Sequence, residues 1–154
     1  ENAPDSMLAF EAYGYIFVKN TIEEDYVIEE DKIVFLWQPI EGIQVKTIIE
    51  PTEKGHVRTH QIQSQISCKA YDCGFALSTD DRKYFQRTEE ENCSQVKNEE
   101  GYCRVTLLEG DGKGKLLIPD PNTTLLFPKT SIPMVEYNIC PGTQSIKTQV
   151  DYFD

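Results

Sequence analysis

The sequence predicts an all-β chain, an antiparallel β-sandwich stabilised by disulfides, and three observations carry that prediction. Apolar residues recur at period two or in short solid runs, not at the three-to-four spacing of an amphipathic helix. Prolines and glycines separate these runs at close intervals. Four of the five cysteines fall between Cys68 and Cys103, with only Cys140 beyond. Strands without intervening helices pack as antiparallel sheets, so a sandwich comes first and a closed up-and-down barrel of lipocalin type second.

The pattern places about nine strands, near 9–18, 26–37, 43–50, 57–68, 72–78, 102–109, 115–118, 123–127 with 132–139, and 145–153. The first two, around "AYGYIFV" and "KIVFLW", are rich in aromatic and β-branched residues, as in strands buried on both faces. Next, "GIQVKTIIE" alternates cleanly, with Ile43, Val45, Thr47 and Ile49 opposed by Gln44 and Lys46. Pro39 with Gly42, and Pro51 with Gly55, mark the turns on either side of it. "RVTLLEGDGKGKLLIPD" reads as a hairpin whose tip is Gly110 to Gly114. Five further prolines from Pro119 to Pro141 suit edge strands and irregular connections. "QSIKTQVDYF" closes the chain as a strand presenting Ile146, Thr148, Val150 and Tyr152 on one face. Residues 78 to 102 show no apolar pattern; Thr88 and Glu91 could cap a short helix there, or the segment is an exposed loop.

Disulfides answer the need to hold that polar segment. Cys68, Cys73 and Cys103 share strand faces with apolar residues, Cys93 lies in the polar stretch and Cys140 precedes the Pro141–Gly142 turn. No C-x-x-C occurs, which excludes zinc-ribbon and thioredoxin patterns. The expected arrangement is two bridges, one from Cys93 to Cys103 and one from Cys68 or Cys73 to Cys140, with an odd thiol free or bonded to another chain. A bridge at the base of the loop would stabilise by about 2–4 kcal/mol. Asn122, and more weakly Asn92, stand in N-glycosylation sequons. The chain opens at Glu1 without an initiator Met or a leader, which reads as a mature or excised extracellular domain over 1–154.

Charge narrows the partners. With 26 acidic and 15 basic residues, the net charge of −11 repels phosphate, so nucleic acid and anionic membrane are poor partners. No apolar run nears the roughly 20 residues of a membrane-spanning helix, so membrane insertion is not expected. The acids cluster at Glu23, Glu24 and Asp25, at Glu29, Glu30 and Asp31, and at Glu89, Glu90 and Glu91. Tyr26 lies between the first two runs, and exposed tyrosine beside acidic residues resembles a protein-binding surface.

Catalytic patterns are missing. His56 and His60 in "HVRTH" would point the same way on a strand but about 13 Å apart, too far to share a metal. "GDGKGK" lacks the spacing and the following helix of a phosphate loop, and no nucleophile elbow occurs. The sequence therefore predicts no enzyme, metal or cofactor. It predicts a binding module that engages a basic protein through its acidic, tyrosine-bearing surface. The alternatives are a hydrophobic-ligand carrier of lipocalin type and a structural or assembly domain of a larger extracellular protein.

Overall fold

The computed structural model describes residues 8–18, 26–75, 85–98, 101–117 and 132–153. Within them the chain forms two antiparallel sheets. The larger runs β3 (Tyr26–Glu29), β4 (Lys32–Ile40), β5 (Ile43–Pro51), β6 (Gly55–Ser64), β13 (Gly142–Phe153), β10 (Tyr102–Glu109), β9 (Cys93–Asn98) and β8 (Phe85–Glu89). The smaller runs β11 (Gly112–Leu117), β12 (Ile132–Ile139), β7 (Cys68–Cys73), β1 (Leu8–Ala12) and β2 (Tyr15–Val18). The two sheets do not close on one another, so the chain is a β-sandwich and the barrel alternative fails.

Period-two alternation puts one side of each strand into the space between the sheets. On β5, Ile43, Val45 and Thr47 are buried while Gln44 and Lys46 face solvent, as the sequence predicts. On β13 the inward set is Ile146, Thr148 and Val150. From the smaller sheet, Leu8, Phe10, Ala70, Val135, Tyr137 and Ile139 meet them. Burial of this common apolar surface is the main force holding the layers together.

Three predicted elements are divided or replaced. The predicted strand 9–18 is a hairpin, turned at Tyr13 (φ 56°) and Gly14 (φ 81°). The strand at 26–37 is likewise two strands, turned at Glu30 (φ 47°) and Asp31 (φ 72°). Both are two-residue turns with positive φ at each central position, a geometry that matches strand twist and normally recruits Asn and Gly. Tyr13 and Glu30, at the first central positions, give no such signal, which is why sequence patterning runs through both turns. The stretch after Thr88 is neither helix nor loop: β8 and β9 pair as a hairpin, and Ser94 and Val96 are fully buried.

The glycine-rich tip is not a hairpin either. β10 lies in the larger sheet and β11 in the smaller, so Gly110 (φ +125°) and Asp111 turn the corner between layers. β11 then passes so close to the β8–β9 turn that a Cβ on Gly114 would stand 2.1 Å from the Cys93 carbonyl oxygen. Only glycine fits there, and its N–H donates to Glu91 O at 3.0 Å.

The disulfide expectation is wrong, and strand register explains why. All five cysteines are free thiols. Cys93 is opposite Thr106 and Cys103 opposite Val96, three positions apart on neighbouring strands. An odd offset puts their side chains on opposite faces: Cys103 is buried in the core with Val105, whereas Cys93 shares the outer face with Gln95. Cys68 packs against the core, while Cys140 sits exposed past the end of β12. Cys73 turns its sulfur back to the Tyr71 carbonyl at 3.8 Å.

Polar contacts do the work expected of sulfur. Ser94 Oγ on β9 donates to Met134 O at 2.9 Å and accepts from Met134 N at 2.8 Å, across the two layers. Tyr137 OH on β12 donates to Lys147 O on β13 at 2.9 Å. At the layer edges, Leu116 N donates to Glu89 Oε2 at 2.8 Å.

Candidate functional site

Three polar arrangements stand out, one sealed between the sheets and one on the outer face of each sheet. The sealed cluster begins with β6, whose inward side chains include His56, Arg58, His60 and Ile62. From the smaller sheet, Asp72 on β7 descends onto them. Arg58 Nη1 donates to Asp72 Oδ1 at 2.8 Å and to Cys73 O at 2.6 Å, while Arg58 Nε donates to His56 Nε2 at 3.0 Å. His60 Nε2 meets Asp72 Oδ2 at 3.1 Å, and its Nδ1 meets Thr47 Oγ1 at 2.8 Å. Trp37 Nε1 completes the chain by donating to Thr47 Oγ1 at 2.9 Å.

Electrostatics follow from that geometry. Burial pushes the Asp72 carboxyl upward, but the charges of His60 and Arg58, with hydrogen bonds from His60 and Thr148, outweigh it and hold it down at about 2. His56 is held below the usual imidazole value, at about 4, first by burial and then by the Arg58 cation. A neutral His56 keeps Nε2 free to accept from Arg58. The Asp72 and His60 side chains are 0% exposed and that of Arg58 4%, so no substrate reaches them. The histidines of "HVRTH" thus lie on a strand facing the same way, as predicted, and their partners are Arg58, Thr47 and Asp72. Among the described residues no group of three or more His, Cys, Asp or Glu could hold a metal.

A smaller ladder lies on the outer side of the five-stranded sheet. Lys69 Nζ donates to Glu136 Oε2 at 2.7 Å, Lys115 Nζ stands 3.7 Å from Glu136 Oε1, and Tyr71 OH donates to Glu11. The Lys69 hydrogen bond holds Glu136 below the usual carboxylate range. Burial, then the Glu11 bond, raises the Tyr71 hydroxyl. These cross-strand pairs tie β1, β7, β12 and β11 together.

The open feature is a groove of about 500 Å³ on the outer face of the eight-stranded sheet. Leu36 and Gln38 from β4, Gln44 and Lys46 from β5, Gln61 and Gln63 from β6, and Thr143 from β13 line it. Register aligns them: Gln44 is opposite Gln63, which is opposite Thr143, and Lys46 is opposite Gln61. A second hollow of about 540 Å³ shares Gln38, Gln44, Gln63 and Thr143 and continues over the β4–β5 turn.

The predicted contact residues scatter. Glu23, Glu24 and Asp25 lie outside the described residues, as does Asn122, and of Tyr26 and Glu29 only the backbone is described. Glu30 and Asp31 form the β3–β4 turn. Glu89 spends its carboxylate on the β11 backbone, and Glu90 and Glu91 form the β8–β9 turn with the exposed Asn92. The aromatic residues divide: Tyr13 and Tyr15 are 70% and 69% exposed, while Phe17 and Trp37 pack on the core. Sequence reasoning missed Arg58 and Asp72, although His56, Arg58 and His60 at i, i+2 and i+4 of one strand signal a polar row on a single face.

The architecture defines an all-β sandwich domain with an internal ionic clamp. The family model of the DUF2264 C-terminal domain matches residues 1–150, and the chain belongs to that family. Among curated proteins no sequence matches. Among solved structures, the heparan sulfate lyase HepC from Pedobacter heparinus is similar with a TM-score of 0.64 at 11% identity, over 97% of this chain and 24% of that one. A protein provisionally named an aldose 1-epimerase from Escherichia coli K12 is similar with a TM-score of 0.57 at 7% identity, over 97% of this chain and 81% of that one. A heparinase III gives 0.53 at 6% identity, over 86% of this chain and 21% of that one. The chain thus spans about a quarter of the heparan sulfate lyase it resembles, and likeness at these identities concerns the fold alone. The neighbours are enzymes, matched in two of these cases over a part of their length. The expectation of a disulfide-bonded glycoprotein is thereby corrected: the thiols are unpaired, and the similar folds are those of parts of carbohydrate-active enzymes.

Proposed function

We propose that this chain is the ancillary C-terminal sandwich of a longer, carbohydrate-processing protein, without catalysis of its own, and that it docks on the remainder of that protein. The observation that carries the reading is an apolar corner where the larger sheet overhangs the smaller. Ile28 and Ile33 face each other across β3 and β4 on the inner side, exposed at 66% and 37%, and Val27 is exposed on the opposite face. Contiguous exposed apolar residues on an edge strand are a liability unless a partner covers them. The family description supplies the occupant, since a C-terminal domain has sequence before it.

The acidic turn Glu30–Asp31 joins these two strands, so the corner has an apolar centre and an anionic rim. That rim favours a basic border on the covering surface, which keeps the basic partner expected from sequence but places it within the same protein. The interior Asp72–His60–Arg58 constellation supports the non-catalytic reading because it is sealed. In the full-length protein, Ile28→Asp with Ile33→Asp should split one cooperative melting transition into two and expose the connection to protease. An unchanged single transition with unchanged proteolysis would reject docking through this corner.

A further inference from the structure

We infer that the outer groove of the eight-stranded sheet binds a neutral glycan chain. Four glutamine side chains, Gln38, Gln44, Gln61 and Gln63, line it on three consecutive strands. Their amides form no hydrogen bond or ion pair with other side chains in the described structure. An amide carries two donors and an acceptor oxygen, which matches a hydroxyl that both donates and accepts. Sheet geometry fixes the array, with neighbours about 4.8 Å apart across strands and about 7 Å apart along them. A row of sugar hydroxyls can engage such an array side by side.

Charge selects the class of glycan. The molecule has a net charge of −11, yet the groove over β4, β5 and β6 is lined by no carboxylate and by a single cation, Lys46; one carboxylate, Glu41, borders the second hollow at the β4–β5 turn. Recognition of sulfate or carboxylate groups calls for clustered arginine or lysine, often bidentate. One lysine among four amides suits hydroxyls. Leu36, 67% exposed on the strand beside Lys46, offers an apolar surface to the C–H face of a ring. The continuation into the second hollow past Gln44 and Gln63 gives length for a chain and not only for a monosaccharide. This site is separate from the Ile28–Ile33 corner, so docking and glycan binding stand or fall apart.

The test is affinity electrophoresis of the full-length protein in gels containing xylan, arabinogalactan, hydroxyethyl cellulose or heparin. Retardation by at least one neutral polysaccharide is expected, insensitive to salt. Gln44→Ala with Gln63→Ala should weaken it about ten-fold, the effect of losing roughly 1.4 kcal/mol of hydrogen bonding, with an unchanged thermal midpoint because both side chains face outward. Gln38→Ala with Gln61→Ala should act alike. Three results overturn the inference: no retardation by any neutral probe, retardation by heparin alone with loss in salt, or retardation that both double variants leave intact.

Discussion

Arg58 on one sheet and Asp72 on the other meet at 2.8 Å, and both side chains are buried. A buried ion pair of this kind links the layers but contributes stability only while both partners are present, because each charge is costly alone. The pair also aligns β6 with β7, since Arg58 binds Cys73 O as well as the carboxylate.

Removing one partner should therefore be worse than removing the group. Asp72→Ala leaves the Arg58 cation uncompensated and should cost about 3–5 kcal/mol in urea unfolding. Replacing Arg58, His60 and Asp72 together by apolar residues of similar volume should recover most of that loss. If the triple variant is as unstable as Asp72→Ala, the cluster contributes more than charge compensation.

Acid should destabilise the fold in two windows. Folded His56 holds its proton less readily than unfolded His56, so its contribution is complete above about 6.5 and declines as pH falls toward about 4. Asp72 is depressed from 3.8 to about 2, so its contribution is complete above about 4 and is lost as pH falls toward about 2. That second loss is on the order of 2 kcal/mol. Urea midpoints measured from pH 8 to pH 2 should show both declines, and His56→Gln should flatten the upper one alone. Constant midpoints between pH 7 and pH 4.5 would contradict the role given to His56.

Gly114→Ala should loosen the closed edge of the sandwich. The added Cβ would meet backbone oxygens of Cys93 at 2.1 Å and Glu90 at 2.6 Å, neither of which can rotate away. The expected loss is about 1–3 kcal/mol, the range of overpacking. Hydrogen exchange should rise at Gly114 and Leu116, whose N–H groups bond to Glu91 and Glu89. A variant with native exchange at both amides would remove the claim.

Thiol chemistry separates the two accounts of the cysteines. Alkylation in denaturant without reductant should modify all five, and reductant should leave the melting temperature unchanged. In the native state the exposed Cys140 should react first. Cys103, pushed up to about 11 by burial, and Cys73, pushed up to about 12 by burial and the Asp72 carboxylate, should react last. Any pair lost from the denatured count restores a bridge.

Alternation at Ile43, Val45 and Thr47, and at Ile146, Thr148 and Val150, fixed which side chains enter the core, because a strand has only two faces. The turns at Tyr13–Gly14 and Glu30–Asp31 escaped because Tyr13 and Glu30 carry no turn signal, which left a single Gly or Asp inside otherwise continuous strand-like runs. The groove glutamines are ordinary polar positions in sequence. They become a lining only when β4, β5 and β6 align them.

The sequence by itself determined that the chain is built of strands, which residues face inward, and that it carries a strong negative charge. Only the tertiary structure decided what joins the two layers. Sulfur pairing depends on register and face, and these set Cys93 and Cys103 on opposite sides of their sheet. The same register brings Arg58, His60 and Asp72, spread over 15 residues of chain, onto one another through two strands in different layers. Local periodicity records which way a side chain points, but not what it meets across the gap.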